Sequence, residues 1–353
     1  MTTALSGPAR YLGQSMKRGI EAYFHHINKT GGVHGRQLKL LVLDDGYQPA
    51  SAAANMRRLS KDQKVIAIIG NVGTPTAMVT VPIANREKIL LFGAFTGANV
   101  LRKSPPDRYV INFRTSYEEE TAAMIDGILK RGIKADEIAF FTQNDAYGDA
   151  GYAGAVKALK ARGYQQADTL AHGRYKRNTL NVEDGLLTIY DAPIRPKAII
   201  MVGAYTACAK FIKLAKTILP DTTFLNVSFV GSIPLANALG KDSEQVIVTQ
   251  VVPHFESDLP GISEYRRMLK SFNSAAAPDF VSLEGYLVAK IFVEGLKRAP
   301  IKVTRENLID AIESINNLDI GIGVTISYST NNHQAIHRIW GTQIQQGKFV
   351  RFE

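Results

Sequence analysis

The amino-acid sequence predicts an α/β fold made of two doubly wound lobes, each built on a parallel sheet. Three observations carry this. The chain has 353 residues, and at roughly 100–200 residues per domain that length divides in two. Its apolar runs are short and uninterrupted, as strands covered on both faces require, and they alternate with segments of helical period. The alternation also restarts: one series of strands and helices runs to Phe92, and a second begins at Glu137.

Taken in order, Met16, Ile20, Tyr23, Phe24 and Ile27 recur at helical spacing and stop at Gly31-Gly32. Residues 38–43 read as a strand ending in Asp44-Asp45, and Pro49 then opens a helix, proline being favoured at a first helical position. Residues 65–69 form a second apolar run, Pro75 opens another helix, and residues 89–92 form a third run. The second series reads strand 137–142, helix 149–162, strand 197–202, helix 205–218, strand 224–230, a short helix at 234–239 and strand 246–251. Helices at 261–275, 282–298 and 304–314 follow. A closing strand pair, 324–327 and 336–345, is expected across the polar segment 329–334.

Composition excludes more than it identifies. Hydrophobic residues make up 45% and charged residues 21%, which is ordinary for a globular chain. No stretch approaches the ~20 apolar residues of a membrane span. Lys and Arg total 42 against 32 Asp and Glu, a net charge of +10. The cations are dispersed in pairs such as Arg57-Arg58 and Arg266-Arg267, which read as solvated helix faces and not as a nucleic-acid surface. The first residues lack a basic segment and an apolar core, so no export signal is read in them, and a segment ahead of Met1 is expected. Cys208 is the single cysteine and reads as a small buried apolar residue. His333 and His337, in a turn-to-strand context, do not have a zinc-ligand pattern. Phosphate-loop and nucleophile-elbow spacings are absent, and neither a cofactor nor a catalytic residue is expected.

The strand ends are the informative part. In open α/β sheets ligands lie beyond the carboxyl ends of the strands, where loops enter helix N-termini. Here those loops read Gly73-Thr74-Pro75-Thr76, Gly93-Ala94-Phe95-Thr96-Gly97, Asn144-Asp145-Ala146-Tyr147-Gly148 and Gly203-Ala204-Tyr205. Hydroxyls and backbone N–H groups at helix N-termini suit a carboxylate. Singly, Thr74 and Thr96 read equally as helix caps, and Tyr147 and Tyr205 as ordinary aromatics. Their arrangement across both halves points to a binding site.

These segments, with Ser6-Gly-Pro-Ala-Arg-Tyr-Leu-Gly13, Ile27-Asn-Lys-Thr-Gly-Gly-Val-His-Gly35, Leu41-Val-Leu-Asp-Asp45 and Phe280-Val-Ser-Leu-Glu-Gly-Tyr286, resemble the leucine/isoleucine/valine-binding protein family of ABC-transporter solute receptors. The resemblance spans essentially the whole chain. It implies the type I periplasmic-binding fold, two lobes joined by a three-strand hinge, at residues 1–114 with 253–326 and 115–252 with 327–353. It also implies that Thr74, Ala94, Phe95 and Thr96 hold a ligand carboxylate, that Tyr147 and Tyr205 contact the ligand from the second lobe, and that Tyr11 lines a side-chain pocket.

Two departures stand out. Family members that bind amino acids place an acid after the strand matching 224–230, where this chain has Ser228-Phe-Val-Gly-Ser232. A buried ammonium without a partner is costly, so either Asp145 or Glu284 takes that part or the solute lacks an amine, with Phe229 facing an apolar group. The disulfide of some members falls at Tyr47 and Gly73 and is absent. The expectation is a monomeric extracytoplasmic receptor, periplasmic or extracellular, that closes around a small carboxylate-bearing solute (an amino acid, or an aromatic or keto acid) in the interlobe cleft. It delivers that solute to an ABC permease, touching the membrane only through the permease or a missing N-terminal anchor. The alternative is a sensing domain that presents the bound solute to a signalling partner.

Overall fold

Residues 1–62 and 64–352 are described in the computed structural model. The chain divides into two units, Met1–Arg114 with Val252–His337, and Thr115–Val251 with Arg338–Glu353.

The first unit begins with β1 (Thr2–Thr3), α1 (Arg10–Lys29), β2 (Leu43–Asp44), α2 (Pro49–Lys61), β3 (Ala67–Ile69), α3 (Thr74–Arg86), β4 (Leu90–Phe92) and β5 (Val110–Ile111). The second follows with α4 (Tyr117–Lys130), β6 (Ile138–Gln143), α5 (Ala146–Ala161), β7 (His172–Tyr175), α6 (Glu183–Tyr190), β8 (Ala198–Val202), α7 (Tyr205–Ile218), β9 (Thr223–Asn226), α8 (Ser232–Leu239) and β10 (Ile247–Gln250). The chain returns to the first unit for α9 (Pro260–Phe272), α10 (Phe280–Arg298), α11 (Arg305–Glu313), β11 (Leu318–Asp319) and β12 (Thr325–Ile326), then ends in the second with β13 (Trp340–Gln345) and β14 (Lys348–Arg351).

In the first unit β3, β4 and β5 pair in parallel, and β1 pairs in parallel with β2. The apolar stripe of α1 (Leu12, Met16, Ile20, Tyr23, Phe24, Ile27) is buried, and this helix packs along α10. The approach is close enough to require glycine, since a Cβ on Gly19 would sit 1.9 Å from the Ser282 carbonyl oxygen. Tyr23 meets Tyr286 edge-on at 5.1 Å between ring centroids, an arrangement aromatic quadrupoles favour.

Among the described residues the second unit holds a seven-stranded sheet in the order β14-β13-β10-β9-β8-β6-β7. Its centre is parallel, and β13 joins antiparallel to β10. Every residue of β6 and β8 is buried, which explains the apolar run of β8 and of Ile138–Phe141 in β6. Ordered parallel strands with helices between them make both units α/β, as the alternation predicted.

Three strand expectations are corrected. The strand at 38–43 forms a ladder only at Leu43–Asp44, because β1 offers just two paired residues. The strand at 224–230 stops at Asn226 and turns into a single 3-10 turn at Ser228–Val230. There the Ser228 N–H and hydroxyl go to the Glu120 carboxylate instead of a ladder, and Gly231 turns left-handed with φ 83°. The expected closing pair does not exist as a pair. β12 pairs with β11, while β13 pairs with β10 and with β14 across Gln346-Gly347. Alternating apolar residues mark a strand but not its partner.

The segment 327–337, expected in lobe two, belongs to the first unit. Tyr328 donates its hydroxyl to the Asn112 carbonyl at 3.1 Å, and the Ile336 N–H donates to the Phe113 carbonyl at 2.9 Å.

Candidate functional site

In the first unit the candidate residues lie on the loops after β3 and β4, and the two loops bind each other. The Phe95 N–H donates to the Asn71 carbonyl at 2.7 Å, and the Gly73 N–H to the Phe95 carbonyl at 3.1 Å. Gly73 caps α3 with φ 105°, and a Cβ there would meet the Tyr47 ring at 2.2 Å. Both the dihedral and the ring demand glycine. Tyr47 and Gly73 are thus in contact, with a tyrosine ring laid on a glycine.

Thr74 is therefore the first helical residue and not the cap, and α3 has no side-chain cap. Its hydroxyl instead meets the Thr96 hydroxyl at 2.6 Å, with both residues buried. Pro75 lacks an N–H, while the backbone amides of Thr74 and Thr76 belong to the first turn, where intrahelical partners do not exist. Thr76 turns its own hydroxyl back to the Val72 carbonyl. Ala94 packs its methyl into the apolar core with Ile68 and Leu91. The Arg114 guanidinium lies 4.5 Å from the Phe95 ring centroid, a cation–π geometry. Glu284, also buried, approaches Arg114 Nε at 3.7 Å. Glu284 is thus joined to the Thr96 loop through Arg114.

Tyr11, near the start of α1, is half-buried, and burial followed by the neighbouring Asp279 charge raises its phenol well above the usual range. Asp279 is itself buried and caps α10 through the N–H groups of Val281 and Ser282. Asp45 accepts from the Thr2 hydroxyl and the Tyr47 N–H, and burial pushes its carboxyl up to about 6.

The second unit gathers aromatics instead. Asp145 caps α5 through the Tyr147 N–H and pairs with Arg177 at 2.7 Å. Tyr147 is fully buried, donates to the Gly203 carbonyl at 3.3 Å, and packs against Phe229 at 4.6 Å and Tyr117 at 5.4 Å. Tyr205 opens α7 directly after that same Gly203-Ala204 turn. The turn is held by Tyr175, whose hydroxyl accepts the Ala204 N–H at 2.8 Å and donates to Gln143 at 3.0 Å. The structure thus brings Tyr147, Phe229 and the Tyr205 turn together within one unit, and Thr74, Phe95 and Thr96 together within the other.

Sequence reasoning missed Glu120 and Arg102. Glu120 hides in the run Glu118-Glu119-Glu120, correctly read as a helix start. It alone of the three is fully buried, and it accepts from the Ser228 N–H (2.8 Å), the Ser228 hydroxyl (2.9 Å) and the Thr249 hydroxyl (2.5 Å). Its helical position, one turn into α4, was the available signal. For Arg102 there was none, because its partners lie up to 232 residues away. His333 is also accounted for, with its ring bonded to the Val110 carbonyl at 2.8 Å and to Glu313 at 3.0 Å. Burial pushes the Cys208 thiol well up, as suits a small apolar core residue.

Hydroxyl-bearing and aromatic loops at the carboxyl ends of parallel strands define a class: α/β proteins that bind small solutes. Within it, the chain belongs to the periplasmic binding protein family, whose sequence profile matches residues 1–348. It is 24% identical over 369 residues to the Leu/Ile/Val-binding protein homolog 7 of Brucella abortus, covering 98% of this chain and 88% of that one. A solved structure of a possible leucine/isoleucine/valine-binding protein from Rhodopirellula baltica is 44% identical, with a TM-score of 0.97, covering 100% of this chain and 95% of that one. A branched-chain amino acid ABC transporter protein from Thermus thermophilus with bound valine shares the fold at a TM-score of 0.87 and 20% identity, covering 100% of this chain and 94% of that one. Membership carries a solute-binding role and an extracytoplasmic place, and the chain is not an enzyme.

Proposed function

We propose that this chain is the periplasmic or extracellular receptor of an ABC importer and binds a small carboxylate-bearing solute without an amine, such as an aromatic or keto acid. The observation that carries the reading is the Thr74–Thr96 hydroxyl pair at the start of a helix that no side chain caps. Two hydroxyls and first-turn amides at the positive end of a helix dipole are donors matched to a carboxylate. Phe95, Tyr147, Tyr205 and Phe229 supply the apolar part, and Tyr11 borders the side-chain pocket. The receptor acts as a monomer and hands the solute to a permease.

The absence of an amine is supported by the acids themselves. Asp145 is engaged by Arg177 and by its own helix, and Glu284 approaches Arg114. Glu120 favours a second reading, an amino acid, since it lies directly under Ser228, but three protein donors already bind it.

A calorimetric and thermal-shift panel separates the two readings: branched-chain amino acids, their 2-keto acids, and aromatic carboxylates. A ligand at about 100 times its Kd stabilises by about 2.7 kcal/mol. Keto or aromatic acids binding more tightly than amino acids supports the first reading. The reverse order transfers the amine to Glu120, and Glu120→Gln must then abolish binding. Solute recognition unchanged by Thr74→Val with Thr96→Val sinks both.

A further inference from the structure

One side chain ties the Thr96 loop to two distant stretches of chain, and we propose that Arg102 is a positioning residue that couples solute binding at this loop to the chain at two of the crossovers. The proposal rests on the reading of Thr74 and Thr96 as the carboxylate site. Arg102 Nη1 donates to the carbonyls of Thr96 at 3.2 Å and Ala98 at 3.0 Å. Nη2 of the same guanidinium donates at 2.8 Å to the carbonyl of Arg114, the last residue before the chain first leaves this unit. Nε donates at 2.7 Å to Gln334 Oε1. The Gln334 amide in turn donates to the Ile336 carbonyl at 3.0 Å and lies 3.1 Å from Nδ1 of His337, the last residue before the chain leaves for good.

The two departing stretches also run side by side. The Asn112 N–H donates to the His333 carbonyl at 2.7 Å, and the Ala335 N–H returns a bond to the Asn112 carbonyl at 3.2 Å. A planar guanidinium presents its N–H donors in a fixed fork, so its partners cannot shift independently. Displacement of the Thr96 carbonyl, when a carboxylate takes up the hydroxyl beside it, is passed through that fork to the Arg114 carbonyl and to Gln334. A lysine keeps the charge and loses the fork.

The test uses Arg102→Lys, Gln334→Leu and their combination in the full chain, with two readouts. The first is hydrogen exchange without solute, followed in residues 94–101, 112–116 and 332–338. The second is titration with whichever carboxylate the panel identifies. Exchange in Arg102→Lys is expected to rise in all three stretches together, and its Kd to weaken about tenfold, with the double variant losing less than the sum of the single losses, as coupled residues do. Gln334→Leu is the critical arm, since Gln334 makes no bond to Thr74 or Thr96; it is expected to weaken binding in the same direction. Exchange rising only in 94–101, with Gln334→Leu binding like the parent, would overturn the coupling and leave Arg102 as a local loop clamp. A parent protein that takes no carboxylate refutes the solute reading instead, and the exchange pattern then decides the coupling by itself.

Discussion

The strand-end loops of the two units are built from different materials. In the first unit they are held by directed hydrogen bonds: two loops bonded through Asn71, Gly73 and Phe95, a threonine pair at 2.6 Å, and the Arg102 fork. In the second, packed rings join the hydrogen bonds: Tyr147 lies against Tyr117 and Phe229, Tyr147 and Tyr175 bond the Gly203-Ala204 turn, and Ser228 bonds Glu120. Hydrogen bonds specify position and leave donors in fixed places, which suits recognition of a charged group. Packed aromatics supply area and tolerate different partners, which suits a variable side chain.

The comparison predicts unequal costs. Arg114→Leu removes the guanidinium that approaches buried Glu284 and is expected to destabilise the first unit by about 3–5 kcal/mol, the range for breaking a buried ion pair. Urea denaturation measures it, and a loss under about 1 kcal/mol would mean that the pair is dispensable. Phe229→Ala removes a ring that is 0% exposed and supports Tyr147. A loss of about 3 kcal/mol is expected in the second unit, where large-to-small core changes leave a cavity. A first-unit transition that moves as much as the second would erase the distinction between the two.

One buried group in each unit responds to acid in the opposite direction from the other. Burial, with Arg174 adding to it, holds His172 down to about 4, so the folded second unit favours the neutral ring. That contribution is complete above the unfolded value near 6.5 and is lost as pH falls toward 4. The Asp45 carboxyl, raised by burial to about 6, favours its protonated form in the folded first unit, so its unfavourable contribution at neutral pH fades as pH falls through 6 toward 4. From pH 7 to pH 5 each amounts to about 1 kcal/mol, discounting His172 for its partial exposure. The two contributions oppose each other. Calorimetric melts of His172→Asn should therefore lose less stability on acidification than the parent, and those of Asp45→Asn more. Equal acid responses in both variants would contradict the opposition.

The smallest effect on stability is expected at the site itself. Thr74→Val exchanges one buried hydroxyl for a methyl of similar size, at a cost of about 1 kcal/mol. The same change should weaken solute binding about tenfold, and titration calorimetry beside a melt separates the two quantities.

Much of this was legible in the residues. Ala198–Val202 is five consecutive apolar residues, and a strand buried on both faces can hardly read otherwise. Tyr205–Ile218 was read to the residue because its apolar stripe is local and its start follows a Gly-Ala turn. The threonines and tyrosines were visible because a strand end followed by a helix start is a sequence pattern. His172–Tyr175 and Glu183–Tyr190 were not visible: the first is a short polar edge strand, the second a helix of eight residues. Thr74 read equally as a cap, and only the fold shows that α3 begins at Thr74 with Gly73 as its cap.

Local order along the chain thus determined the class of fold, the sequence of strands and helices, and the loops that carry the candidate site. Tertiary structure alone decided the rest: that Thr74 bonds Thr96, that Glu120 serves Ser228 from 108 residues away, that Arg114 is met by Glu284, and that residues 327–337 belong with the first unit. Periodicity reports the environment each residue needs, which neighbours in sequence share. Which distant partner supplies that environment is settled by packing, since a hydrogen bond or ion pair depends on position in space and leaves no period in the chain.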